Sequence, residues 1–233
     1  MIHKMRWTAE KIAQRLQVIE PLVYRRSAPL ANLRYKVLAG PMDPPPFSLA
    51  VSDEDWPVLQ PHSYWAGWTT DFLLRTSFRV PADWEADVPV ALYLPLGGER
   101  DFSHPEALAY IDGTPYAACD RHHQEILLRP EWRDGQTHAL ALHGWTGLGD
   151  WEGPQAGSML LMGACAVVQL HQPTRDFIAT ARVALGVATA LDANEPARGR
   201  LLSALDEAFI RLDTRAPFGE GFYASVAPAH AAL

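Results

Sequence analysis

The densest polar stretch of the chain is the first place to look for chemistry. Asp112-Gly113-Thr114-Pro115 is followed closely by Asp120-Arg121-His122-His123-Gln124-Glu125. Carboxylates accept hydrogen bonds, guanidinium groups donate them and imidazoles do either, so such a run suits the hydroxyls of a sugar. With the right spacing it would suit a metal ion, but no pair here follows a zinc or calcium loop pattern. Asp112, Asp120, Arg121 and His122 are therefore candidates for a glycan or domain-interface surface. The plainer reading is a turn and then a polar loop entering a strand at Ile126.

Aromatic rings are the second resource. Trp65, Trp68, Phe72, Phe78 and Trp84 lie close together in sequence. A sugar presents C–H faces that stack on aromatic rings, so exposed tryptophans make carbohydrate platforms. Phe72 and Phe78 fall at alternate positions of a strand and read as core. Trp65 and Trp68 precede that strand; they read either as a platform on a loop surface or as further core. Trp145-Thr146-Gly147-Leu148-Gly149-Asp150-Trp151 is a third constellation, a binding edge or simply a connecting loop. Nothing assembles a catalytic set. There is no Gly-x-Ser-x-Gly elbow and no phosphate-binding glycine loop. His104, His138, His143 and His171 are scattered singly, and sequence places no two carboxylates at glycosidase spacing. No catalytic, cofactor-binding or metal-ligating residue is assigned.

Several partners are excluded by composition. The net charge of −7 argues against nucleic acid. No basic cluster follows an apolar stretch, and the longest apolar run, Met159–Val168, is too short to span a bilayer. The two cysteines, Cys119 and Cys165, form no framework and read as reduced thiols. The N-terminus leads into an amphipathic pattern rather than a signal core, so a cytoplasmic location is expected.

Periodicity supplies the elements that must position these residues. Ile12, Leu16, Ile19 and Val23 predict a helix over 8–20, perturbed at Pro21. The proline-rich stretch 25–62 is expected to be extended, with little regular structure. Strict alternation from Asp71 to Val80 predicts a half-buried strand, with further strands over 88–94, 108–111, 125–128, 138–143 and 158–170. Asp112-Gly113 is a hairpin-turn signal. After Pro173, Thr174 can cap a helix carrying Phe177, Ile178, Ala181, Leu185, Ala188 and Leu191. A second carries Leu201, Leu202, Leu205, Ala208, Phe209 and Leu212, and a third begins at Phe222 and reaches Leu233 without a capping signal, as if cut. The expected fold is mainly β: a jelly-roll, galactose-binding-like β-sandwich over 63–172, preceded by a helix and extended segment over 1–62. A helical linker follows over 173–233.

Three stretches resemble, in order, the region before the catalytic domain of bacterial glycoside hydrolase family 38 α-mannosidases. Trp65–Pro81 is similar to the family's Trp-rich segment ending in a Phe-x-Val/Ile-Pro strand. Ala109–Pro115 with Asp120–Glu125 resembles its Asp-Gly-x-Pro … Asp-x-x-His-x-Glu run, with Cys119 where the family often has Gly. Ala181–Leu185, Leu201–Asp206 and Phe222–Val226 look like the helical linker into the catalytic barrel. The resemblance implies a non-catalytic N-terminal domain of a zinc-dependent, retaining α-mannosidase. Its partners would be its own catalytic domain, further copies of itself and α-mannosides, with zinc held in the absent catalytic domain and no cofactor in this chain. The family's His-x-His-x-Asp zinc motif does not occur here, so no catalytic residue transfers. Alternatives are an independent carbohydrate-binding module or the jelly roll of another glycosidase family. A broad apolar surface at Leu205, Phe209, Leu212, Phe222 and Val226 is expected to pack on the absent domain, and here to be exposed or buried against another copy of the chain.

Overall fold

The computed structural model describes residues 8–40, 45–47, 50–97, 105–147 and 160–233. The strands are β1 (Tyr24–Pro29), β2 (Leu33–Val37), β3 (Val58–Leu59), β4 (Tyr64–Trp65), β5 (Asp71–Phe78) and β6 (Val90–Tyr93). They continue with β7 (Glu106–Ile111), β8 (Thr114–Cys119), β9 (Glu125–Leu127), β10 (His138–Trp145), β11 (Leu160–Leu161) and β12 (Ala166–Leu170). The helices are α1 (Thr8–Ile19), α2 (Gln172–Ala190), α3 (Pro196–Arg211) and α4 (Glu220–His230). No helix among the described residues is long and apolar enough to cross a membrane. Two compact units result. One is Arg26–Gln169; the other joins Leu170–Leu233 to the N-terminal stretch ending at Arg25.

The first unit is a β-sandwich. One sheet has the order β3-β2-β5-β10-β7-β8, the other β1-β12-β6-β9, and β11-β4 forms a small third pair. Side chains alternate across a strand, so Phe72, Leu74 and Phe78 of β5 share a face with Leu140 and Leu142 of β10. That face packs in one core with Val90 and Leu92 of β6 and Val167 of β12. The sandwich predicted from alternation is the observed fold.

The opposite face of β5 is covered as well. Leu38 and Trp56 close over Leu73 and Ala141, with Phe47 and Tyr110 packed alongside. Arg75, on this face, is only 1% exposed. Its guanidinium reaches Asp53 at 3.0 Å and the Val51 carbonyl at 2.8 Å, and lies over the Trp56 ring. A strand that alternation predicts as half-buried is thus buried on both sides, because the segment around Trp56 straps its outer face.

Two sequence expectations change here. The stretch 25–62 contains β1, β2 and β3 rather than little regular structure. Edge strands tolerate proline, since one row of their amides needs no ladder partner; β1 and β3 are both edges. The predicted strand 158–170 is two strands in different sheets. A Cβ on Gly163 would sit 2.5 Å from the Pro95 ring, so only glycine lets the chain cross there.

The helical unit has its own core. Ile12, Leu16 and Ile19 of α1, Phe177, Ile178 and Ala181 of α2, Leu202 and Leu205 of α3, and Phe222 and Val226 of α4 are buried. Phe177 meets Phe209 edge-on at 5.4 Å. Arg182 of α2 pairs with Glu20 at 2.6 Å, and Arg15 of α1 with Asp206 at 3.5 Å. The N-cap of α2 is His171 rather than Thr174: its Nδ1 accepts from the Thr174 amide at 3.3 Å. Leu205, Phe209, Leu212, Phe222 and Val226 are all buried, at 0%, 6%, 7%, 0% and 0% exposure. This corrects the expectation of a severed apolar surface. The reason is α1, whose apolar stripe returns to the C-terminal helices, a long-range pairing invisible to local periodicity.

Candidate functional site

The sequence candidates do not gather into one place. Asp112 and Gly113 form the β7–β8 turn, with φ of +50° and +79°. That is the geometry of a two-residue hairpin turn, for which Asp-Gly is well suited. Asp120 lies beyond the other end of β8. Between them the hairpin runs from the Ile111–Thr114 pair to the Ala107–Cys119 pair, about 13 Å of strand. Asp112 and the Asp120-Arg121-His122 group therefore cannot share a small ligand, and a glycan or domain-interface surface that used both would have to run the length of the hairpin.

Each half has a structural task. Asp120 folds its own loop: Oδ1 accepts from the amides of His122 and His123 at 2.6 and 2.7 Å, and the His123 ring lies 3.1 Å away. Desolvation pushes the Asp120 carboxyl up, but these hydrogen bonds outweigh it and hold it below the ordinary range. Arg121 Nε donates to His122 Nε2 at 3.0 Å. At the other end His138, near-buried, is held between two carboxylates. Its Nδ1 lies 2.7 Å from Asp112 Oδ2 and its Nε2 3.0 Å from Asp134 Oδ1. Asp112 Oδ1 also accepts from the Ala139 amide at 2.9 Å. This clamp, which sequence spacing did not reveal, ties the hairpin turn to the start of β10.

The clamp has a pH signature. Desolvation lowers the His138 pKa, but the hydrogen bonds to Asp112 and Asp134 prevail and raise it above 6.5. The Gln136 amide and His138 hold Asp134 below 3.8. The imidazolium's contribution is complete below 6.5 and fades as pH rises through the raised value; that of Asp134 is complete above 3.8 and fades on acidification. Melting curves of the protein and of His138→Gln, recorded from pH 5 to 9, should converge as pH rises. Screening of the half-exposed carboxylates keeps the change small, about 2 °C. A Tm difference flat over that range would show that His138 does not titrate there.

Of the two readings left open for Trp65, the structure takes the core one. Trp65 is 2% exposed, donates from Nε1 to the Leu96 carbonyl at 2.8 Å, and meets Phe72 and Tyr35 edge-on at 5.1 and 5.5 Å. It is core. Trp68 is half-buried, and its Nε1 finds no partner among the described residues. The loop that carries both is tied down by buried Thr146, whose Oγ1 donates to the Gly67 carbonyl at 2.8 Å and accepts from the Thr70 amide at 2.9 Å.

What the fold does bring together is a row on the outer face of the six-stranded sheet. Trp145 is the direct cross-strand partner of both Asp71 and Glu106. Directly paired residues share a face, so Trp145 is flanked on the two neighbouring strands by acidic residues. The next row is Leu73, His143, Leu108 and Ala118. Glu106, Leu108, Ala118 and Asp120 help line a surface recess of about 260 Å³. Asp71 and Glu106 lie far from Trp145 in sequence, and only register reveals the row. Of the constellation Trp145–Trp151, Leu148 to Trp151 lie outside the described residues. Among the described residues no group of three His, Cys, Asp or Glu side chains could hold a metal ion.

Comparison with known proteins adds little. No family model matches the chain, and no curated protein does. A calcium-binding mutant of Bacteroides uniformis β-glucuronidase 2 is 14% identical over 62% of this chain and 18% of its own, with a TM-score of 0.39. A Ruminococcus gnavus β-glucuronidase in complex with a uronic isofagomine is 13% identical, over 62% and 29%, at 0.37. The CBM51-2 and INT domains of Clostridium perfringens ZmpB, with GlcNAc, are 12% identical, over 77% and 37%, at 0.24. The chain thus spans well under half the length of each. Likenesses this distant decide nothing about its chemistry, and the functional reading rests on its own residues.

Proposed function

We propose that this chain is a non-catalytic accessory region of a carbohydrate-active enzyme, and specifically the N-terminal region of a zinc-dependent family 38 α-mannosidase. The observation that supports it is the use to which the family-like stretches are put. Trp65 fills the core, Asp112 clamps His138 and Asp120 builds a loop, so the motif residues are engaged in holding the sandwich. Such residues suit a domain that supports a neighbour rather than one that cleaves a bond. The partners in this reading are a catalytic domain carrying the zinc and further copies of the chain, in the cytoplasm.

The test is enzymatic. The isolated chain should leave aryl α-mannosides intact with or without zinc, whereas the longer natural protein that contains it should cleave them and lose activity on chelation. Zinc-dependent turnover by the purified chain would overturn the non-catalytic assignment. A longer protein inactive on α-mannosides would overturn the mannosidase assignment. One observation favours a second reading, an independent carbohydrate-binding module: the helical unit buries Leu205, Phe209, Leu212, Phe222 and Val226 within the chain itself.

A further inference from the structure

We propose that the outer-face end of the six-stranded sheet, where Trp145 stands between Asp71 and Glu106 beside the recess reaching Asp120, binds a neutral saccharide. This rests on the carbohydrate-active reading above and adds a site to it.

The argument starts from register. Asp71, Trp145 and Glu106 are consecutive direct partners across β5, β10 and β7. Neighbouring Cβ atoms in such a row are about 5 Å apart, so the carboxylates flank the indole across about 10 Å. That is the width of a pyranose with its hydroxyls. An indole offers its face to the C–H side of the ring, while ionised carboxylates only accept, which matches hydroxyl donors at the ring's rim. Trp145 is half-buried, and among the described residues it is counted neither in the sandwich core nor in the cluster under the strap. Glu106 is exposed, and Leu108 beside it is 37% exposed. The recess continues over Leu108 and Ala118 to Asp120. There a carboxylate fixed by two backbone amides lies at the rim. An apolar floor bounded by acceptors suits a second sugar unit. A cationic ligand would call for carboxylates converging on one point; here the register sets two of them on the strands either side of Trp145.

The experiment is a titration of the whole chain with α-mannobiose, followed through the indole N–H signals by NMR. The Trp145 signal is assigned by its loss in Trp145→Phe. The expected result is a saturable shift of that signal with a Kd in the millimolar range, about −4 kcal/mol. Binding should weaken about tenfold or more in Trp145→Ala and about threefold in Glu106→Gln, and survive roughly 0.5 M salt, since the ligand is uncharged. Glu106→Gln alters an exposed side chain, so it reports on binding even if Trp145→Ala does not fold. An unmoved Trp145 signal at about 50 mM sugar, undiminished binding in Trp145→Ala, or a stronger, salt-sensitive shift with lysine amide would each overturn the site. Sugar binding elsewhere on the chain, or mannosidase activity of the longer protein without any binding here, would leave the carbohydrate-active reading standing and remove only this site.

Discussion

Replacing Trp65 by alanine is expected to destabilise the sandwich by about 3–5 kcal/mol, the range for truncating a large buried aromatic. The ring is 2% exposed and packs edge-on against both Phe72 and Tyr35. The substitution also strands the Leu96 carbonyl, which the indole N–H satisfies at 2.8 Å. Trp65→Phe should recover most of the packing but not that hydrogen bond, and so fall between the two. Urea denaturation followed by circular dichroism measures all three. A loss below about 1 kcal/mol for Trp65→Ala, with sugar binding impaired instead, would return this residue to the surface.

Gly144→Ala should be nearly as damaging, though it adds a single methyl group. The new Cβ would meet the backbone carbonyl of Glu106, with the Phe72 ring at 2.7 Å and the Ala107 Cβ at 2.8 Å. A flexible side-chain tip could step aside; a strand backbone cannot, so β10 and β7 must separate or Phe72 must leave its rotamer. Overpacking of this kind costs about 1–3 kcal/mol and occasionally more. A fall in Tm of about 5–10 °C is expected, and Gly144→Val should fail to fold. An unchanged Tm in Gly144→Ala would mean that the two strands lie further apart than described. Because Gly144 sits beside Trp145, the close approach it permits also sets the spacing of the Asp71–Trp145–Glu106 row.

Alternation was a good guide wherever one strand face met the core. β5 and β10 are legible because Phe72, Leu74, Leu140 and Leu142 recur at period two. The Asp112-Gly113 turn is legible because few dipeptides accept its backbone angles so readily. What sequence hides is pairing at a distance. Nothing local says that Trp56 will strap Arg75, that α1 will close the core of the C-terminal helices, or that His138 will fall between Asp112 and Asp134. The same limit applies to single side chains. Trp65 and Asp112 stand out by residue type, but type does not say which way a side chain points. The Asp71–Trp145–Glu106 row becomes visible only when three strands are set in register.

α1 belongs with α2, α3 and α4, yet the whole sandwich lies between them in sequence. At a synthesis rate of about 5–20 residues per second, α1 leaves the ribosome on the order of ten seconds before its partners do. A lone helix of 12 residues is marginal in water. The strands of the sandwich are made during that interval, β12 last of all and just before α2, while Ile12, Leu16 and Ile19 of α1 still lack the helices that bury them. α1 is made before the sandwich and buried only after it, and its apolar stripe is the surface a holdase would meet on the growing chain.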